Sequence, residues 1–195
     1  MRDEFYADRR DLWKWTVALH LAGTDGTILY VAMLRPRAVR TVPPGFNSVV
    51  REFFLREWAA LDRDPLCARI RELSPRIKPL LNYYQHRDKR CYFDNVRKAL
   101  GDRGDNERYV VLLDPDTGLA GGNSTREHLC WEDMASVWDA MKTNDILLIY
   151  QHNARAKKET WMENLRLRMA AKLGRSPDEI DCCPRADVCF LSTTK

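Results

Sequence analysis

Two uninterrupted apolar runs, YVVLL at residues 109–113 and ILLIY at residues 146–150, constrain the fold more than any other feature of this sequence. A strand that faces water on one side alternates apolar and polar residues, whereas a strand covered on both sides is apolar throughout. Strands of the second kind are typical of parallel sheets that carry helices on both faces. The two runs therefore predict an α/β protein.

Segments with the spacing of amphipathic helices alternate with shorter β-rich segments along the chain. Helices are predicted over 8–23 (with Asp8 as N-cap and Gly23 at the end), 48–61, 125–142 and 156–174, and strands over 28–34, 90–96, 109–114, 145–152 and 186–194. Residues 35–48 are expected to form a loop, and residues 62–79 an irregular, partly helical region broken by prolines. We expect residues 1–195 to form a single three-layer α/β domain, with a mostly parallel sheet flanked by helices.

The charged start of the chain, MRDEFYADRRDLWKW, is unlike a signal peptide, and no apolar run approaches the roughly 18–20 residues that span a bilayer. A cytoplasmic protein without a membrane partner is therefore expected. The six cysteines show no C-x-x-C or paired Cys/His spacing. This pattern favours free thiols in a reducing compartment and no metal site.

Basic residues cluster in three segments, although the net charge is only +4. The candidates for phosphate contacts are Arg35, Arg37, Arg40, Arg87, Lys89, Arg155, Lys157 and Lys158. Basic groups gathered at loops are what a phosphate backbone requires, so DNA is the expected partner; a solvated positive face is the alternative. Tyr84, beside the second cluster, is a candidate for stacking on an exposed base, or for core packing.

Polar residues follow the two apolar runs, as Asp114-Pro115-Asp116 and as Gln151-His152-Asn153. In a parallel sheet both groups emerge at the same edge, which is where open α/β sheets bind their ligands. We expect Asp114 and His152 to be the catalytic residues there. Contacts with a base or sugar are assigned to Asp116, Asn153, Gln151, Asn47 and Tyr84. The alternative is that these strand-end residues only form turns.

Asp114-Pro115, behind an apolar strand, resembles the Asp-Pro-Pro-Tyr motif of adenine N6-methyltransferases, which holds the amino group of a flipped base. Asp116 and Thr117 here take the places of Pro and Tyr. The resemblance implies S-adenosylmethionine as the cofactor, held on a glycine-rich loop behind the first strand. The corresponding segment, ILYVAMLRPRAVR at residues 28–40, contains no glycine.

The same pair resembles the first motif of the uracil-DNA glycosylase superfamily, Gly-Gln-Asp-Pro-Tyr-His, which also follows a strand of a parallel sheet. A later motif of that family opens with His at another strand end, and His152 follows Asp114 in this order. Asp116 and Thr117 stand where Tyr-His would, and no Pro-Ser follows His152. The resemblance, which includes bacterial anti-phage glycosylases acting on modified cytosine, implies an enzyme that flips out a base and leaves an abasic site.

Cleavage of an N-glycosidic bond builds positive charge on the sugar and negative charge on the departing base. A carboxylate such as Asp114 stabilises the first, and a donor such as His152 stabilises the second. The reaction needs no cofactor and no metal, in agreement with the missing glycine-rich loop. The sequence therefore predicts a DNA glycosylase ahead of a methyltransferase.

Two further functions remain open. A magnesium-dependent nuclease would use Asp94, Asp114 and Asp116 as oxygen ligands. A basic adaptor that binds nucleic acid without catalysis would need no convergence of the strand ends.

Overall fold

A computed structural model describes residues 9–33, 71, 73–80, 89–115, 118–119, 129–152, 158–185 and 188–195 of the chain. The helices within these ranges are α1 (Arg9–Ala22), α2 (Lys89–Gly101), α3 (Trp131–Ala140) and α4 (Lys158–Leu173), with one 3-10 turn at Pro177–Glu179. The strands are β1 (Thr27–Ala32), β2 (Ile77–Pro79), β3 (Tyr109–Asp114), β4 (Ile146–His152), β5 (Asp181–Arg185) and β6 (Val188–Thr194).

The six strands of the described residues form one sheet in the order β2-β1-β3-β4-β6-β5. The first four in this order are parallel, whereas β6 lies antiparallel between β4 and β5. The chain passes from β1 outward to β2 and then returns to the other side of β1 as β3. This reversal creates a topological switch point between β1 and β3, the position at which such sheets bind ligands.

Both faces of the sheet are covered, as the continuous apolar runs predict. One face packs against α1 through Trp15, Ala18 and Ala22. The other face packs against α2, α3 and α4 in a larger core that includes Val111 and Ile149. The prediction of an α/β fold with a mostly parallel sheet between helices is confirmed, whereas a single domain over all 195 residues stays a prediction.

The predicted strand over 90–96 is wrong, because these residues belong to α2. Tyr92, Phe93, Val96 and Leu100 are buried and recur at the spacing of one helix face. The run of apolar residues in RCYFDNV is too short to separate a strand from a helix by pattern alone.

Two strands were absent from the sequence-based prediction. β2 is only three residues long and ends in Pro79, within the region expected to be irregular and helical. β5 contains Pro184 and lies at the edge of the sheet, where a proline is tolerated in a strand. Both are edge strands with sequences of weak β character.

The other elements agree with the sequence more closely. α1, β1, β3, β4, α4 and β6 are confirmed within a few residues. The helix predicted over 125–142 begins only at Trp131 in the described part of the chain, and residues 34–61 lie outside the described residues. No helix of the described ranges has the length and apolar character that crossing a membrane requires.

Candidate functional site at the carboxyl edge of the sheet

The two strand ends selected from the sequence lie at one edge of the sheet. β3 and β4 are parallel neighbours, with Leu113 paired to Ile149. Asp114 is also paired with Ala32, the last residue of β1. Asp114 therefore stands at the switch point between β1 and β3, and the carboxyl ends of β3 and β4 lie at the same edge of the sheet.

Alternation along the strands decides which face each side chain occupies. Val110 and Leu112 belong to the core under α1, so Asp114 lies on that face. Tyr150 also belongs to this core, and His152 follows it by two residues. Asp114 and His152 therefore share the α1 face of the sheet.

Asp114 is buried, with 1% of its surface exposed, and its carboxylate is held by two groups. The Lys14 ammonium donates to Oδ2 at 2.7 Å, and the Tyr30 hydroxyl donates to the same oxygen at 2.6 Å. Lys14 is itself 1% exposed. Oδ1 accepts no hydrogen bond from any residue that the structure describes. Oδ2 thus anchors the carboxylate to α1 through Lys14 and to β1 through Tyr30.

Aromatic rings enclose the ammonium group of Lys14. Its Nζ lies 5.8 Å from the ring centroid of Trp15, 5.5 Å from that of Tyr30 and 5.2 Å from that of Tyr150. Each ring presents a negative face that favours a nearby cation. The half-buried His152 continues this group, because its ring packs edge-on against Tyr150 at 4.9 Å.

Burial would by itself raise the pKa of Asp114, since it disfavours a charge. The charge of Lys14 and the hydrogen bonds from Lys14 and Tyr30 outweigh burial, so the pKa lies below its ordinary value. The carboxylate therefore stays ionised in a site from which water is largely excluded. A fixed anion in such surroundings acts more strongly on a developing cation than one in water.

Gln151 has a different position from the one expected. Its side chain contacts the segment that follows β3, because Oε1 accepts a hydrogen bond from the Leu119 amide at 2.6 Å. Its Nε2 donates to the His152 carbonyl at 3.0 Å. Gly118 approaches so closely that an added Cβ would overlap the Gln151 amide. These contacts make Gln151 a positioning residue of the edge, and its predicted contact with a base or sugar stays a prediction.

Lys89 is the one predicted phosphate contact with a described side chain. It forms an ion pair with Asp133 at the start of α3. Burial lowers the pKa of Lys89, but its interactions with Asp133 and Cys130 outweigh burial and raise it. Lys89 thus ties α2 to α3, and its contact with phosphate stays a prediction.

The other predicted site residues lie outside the described residues. They are Arg35, Arg37, Arg40, Asn47, Tyr84, Arg87, Asp116, Asn153, Arg155 and Lys157. Lys158 begins α4, and its side chain is not among those described.

Of the three ligands expected for a nuclease, Asp94 and Asp114 lie within the described residues and Asp116 lies outside them. Asp94 lies in α2 and forms an ion pair with Arg97, three residues along the same helix. Within the described ranges, no group of three or more His, Cys, Asp or Glu side chains is arranged to hold a metal ion. The described residues therefore give the nuclease function no support.

The described strand ends also do not fit S-adenosylmethionine. Nucleotide-type cofactors need glycine where the backbone behind the first strand approaches them, and an acidic residue at the end of the second strand. Here Ala32 ends β1 and Met33 follows it, with buried side chains packed into opposite cores. Pro79 ends β2 and Leu80 follows it, so no carboxylate stands there. No reaction step is therefore assigned to this cofactor.

Lys14 and Tyr30 were missed by the sequence analysis. A lysine in an amphipathic helix is usually solvated, and a tyrosine within an apolar strand is usually part of the core. One signal was present, because Lys14 is four and eight residues from Ala18 and Ala22, on the face of α1 that is buried.

In comparisons with known proteins, no family model, no curated protein and no solved structure matches the chain.

Proposed function

We propose that the protein is a DNA N-glycosidase that excises a base at the carboxyl edge of its sheet. The observation that carries the proposal is the Asp114 carboxylate, which is held ionised at the switch point through Oδ2 while Oδ1 accepts no described hydrogen bond. The resemblance to the uracil-DNA glycosylase superfamily adds an expected substrate class, which includes modified cytosine. A cytoplasmic location and a role in phage defence belong to the same proposal.

Each group has a task in this reaction. As the N-glycosidic bond lengthens, the sugar becomes cationic, and the fixed negative charge of Asp114 stabilises it. Lys14 and Tyr30 do not touch the substrate; they hold the carboxylate in place, so that little reorganisation is needed during the reaction. His152, half-buried beside Tyr150, donates to the departing base. Water completes the reaction at the sugar, and no cofactor is consumed.

A nucleic-acid methyltransferase is the second candidate, and the strand order favours it. In S-adenosylmethionine-dependent methyltransferases, the last strand of a mostly parallel sheet lies antiparallel between the edge strand and its neighbour. The order β2-β1-β3-β4-β6-β5 has this arrangement, and Asp114-Pro115 follows the strand beside the switch point. A fold hosts many activities, however, and the strand ends described above do not fit the cofactor. The glycosidase therefore ranks first.

One experiment separates the two functions. Duplex and single-stranded DNA, with and without modified cytosine, are incubated with the protein in the presence of EDTA and without cofactor, and abasic sites are detected by alkaline cleavage. A parallel incubation contains labelled S-adenosylmethionine. The proposal expects abasic sites in the first incubation; labelled DNA in the second, without abasic sites in the first, would replace the glycosidase by the methyltransferase.

A further inference from the structure

A pair of cysteines lies on the β5–β6 hairpin, away from the candidate site. Cys182 is paired with Leu191 and Cys189 with Pro184, so the two cysteines are diagonal neighbours on adjacent antiparallel strands. Their side chains share the face of the sheet that packs against α4. The two Sγ atoms are 3.2 Å apart.

The two thiols differ in their access to solvent. Cys189 is fully buried in the core, whereas Cys182 is half-buried. Cys182 lines an open surface cavity of about 470 Å³, together with Glu163 and Arg166 of α4. A small solute can therefore reach Cys182, whereas the burial of Cys189 shields it from solvent.

The surroundings of Cys182 favour its thiolate. The hydrogen bond with Cys189 lowers the pKa of Cys182, and the positive charge of Arg166 lowers it further, against the opposing effects of burial and Glu163. The thiolate is the form of cysteine that reacts with oxidants, and accessible thiolates next to a second thiol are the ones oxidised reversibly.

We propose that Cys182 is a site of oxidation by hydroperoxides and that Cys189 converts the oxidised residue into a Cys182–Cys189 disulfide. The Cys182 thiolate attacks one oxygen of hydrogen peroxide, the O–O bond breaks, and Cys182 becomes a sulfenic acid as the released hydroxide takes up a proton to form water. The Cys189 thiol then attacks the sulfenic sulfur and expels a second water. In total, two thiols and one hydrogen peroxide give one disulfide and two waters.

Cys183 provides a matched control on the same strand. Its side chain points to the opposite face of the sheet, towards the core under α1. It is a half-buried thiol like Cys182, but the sheet separates it from the Cys189 thiol. The proposal predicts that C183S forms the disulfide as the wild type does, and that C182S does not.

The test uses the full chain, reduced and then treated with hydrogen peroxide, followed by alkylation of remaining thiols and tryptic digestion. Cleavage after Arg175 and Arg185 places Cys182 and Cys189 on different peptides, 176–185 and 186–195. We expect a linked pair of these peptides in the wild type and in C183S, removed by dithiothreitol. In C189S, whose hydroxyl can still donate to Cys182 but cannot form a disulfide, we expect a dimedone adduct at Cys182 that forms at least about tenfold faster than at the exposed Cys91.

Several outcomes would overturn the proposal. They are an unlinked pair of peptides in the peroxide-treated wild type, loss of the link in C183S, and a rate at Cys182 no higher than at Cys91. The wild-type measurement does not depend on any variant, so the proposal can still be refuted if the C189S chain fails to fold.

Discussion

Lys14 and Asp114 depend on each other, because both are buried charges and they form an ion pair. Transfer of a lone charge into a protein interior is far more unfavourable than transfer of a hydrogen-bonded pair. Tyr30 contributes the third member of the group through its hydroxyl. Sequence patterns identified Asp114 from its place behind an apolar strand, but not its partner, since 100 residues separate Lys14 from Asp114 in the chain.

Replacement of Lys14 by methionine should destabilise the protein by about 3–5 kcal/mol, because it removes the ammonium that pairs with the buried Asp114 carboxylate. The double variant K14M/D114N removes both charges and should recover a large part of this loss. Urea unfolding of the wild type and the variants measures the free energies. Equal stability of K14M and the wild type would contradict the buried ion pair.

The Lys14–Asp114 ion pair should also make the free energy of unfolding depend on pH. The pKa of Asp114 is lowered on folding, so its stabilising contribution is fully present above the unfolded-state value of about 3.9 and is lost as the pH falls through the lower folded-state pKa. The free energy of unfolding should therefore fall more steeply below about pH 4 in the wild type than in K14M/D114N. Urea unfolding between pH 6 and pH 3 tests this, and parallel curves would argue against it.

Among the strands, those buried in the middle of the sheet could be predicted from the sequence, and those at its edges could not. β3 and β4 are buried on both sides, and their apolar runs, which include β-branched residues and tyrosine, favour strands. β2 and β5 lie at the sheet edges, where Pro79 and Pro184 are tolerated, so their sequences carry no clear strand signal. The order of the strands depends on packing over long distances, and no local pattern encodes it. The switch point thus emerged only from the structure.

The segment after β3 is held against Gln151 by its glycine. Gly118 has a φ of +94° and lies against the Gln151 amide, so G118A should cost about 1–3 kcal/mol of stability through backbone strain and overlap. Gly101, at the end of α2, has nothing within 4 Å of an added Cβ and serves as the control. G101A should be neutral or slightly stabilising. Thermal unfolding compares the two, and a G118A chain as stable as G101A would refute the Gln151 contact.

For the whole molecule, the proposed function requires DNA to lie across one edge of the sheet. Arg37 and Lys157 come after the carboxyl ends of β1 and β4 in the sequence. R37E and K157E should each weaken DNA binding and reduce the slope of log affinity against log salt by about 1. K98E makes the same charge change at an exposed position in the last turn of α2. The chain runs from there to the amino end of β3, at the opposite edge of the sheet, so K98E should leave the slope unchanged. Fluorescence anisotropy across a salt series measures these slopes; equal slopes for all three variants would contradict the proposed orientation.

The most direct measurement of the central claim is the single-turnover rate of base excision by K14M/D114N. The double variant removes the anion without leaving a buried charge, so it should fold and bind DNA while excision slows by roughly 10²–10³ or more, the effect of losing one preorganised electrostatic contact. The matched control is R103M/D145N, which removes the buried Arg103–Asp145 pair at the amino edge of the same strands. It should keep the wild-type rate wherever it is folded. Excision by K14M/D114N at the wild-type rate would contradict the catalytic role of Asp114 and leave the pair with a structural role alone.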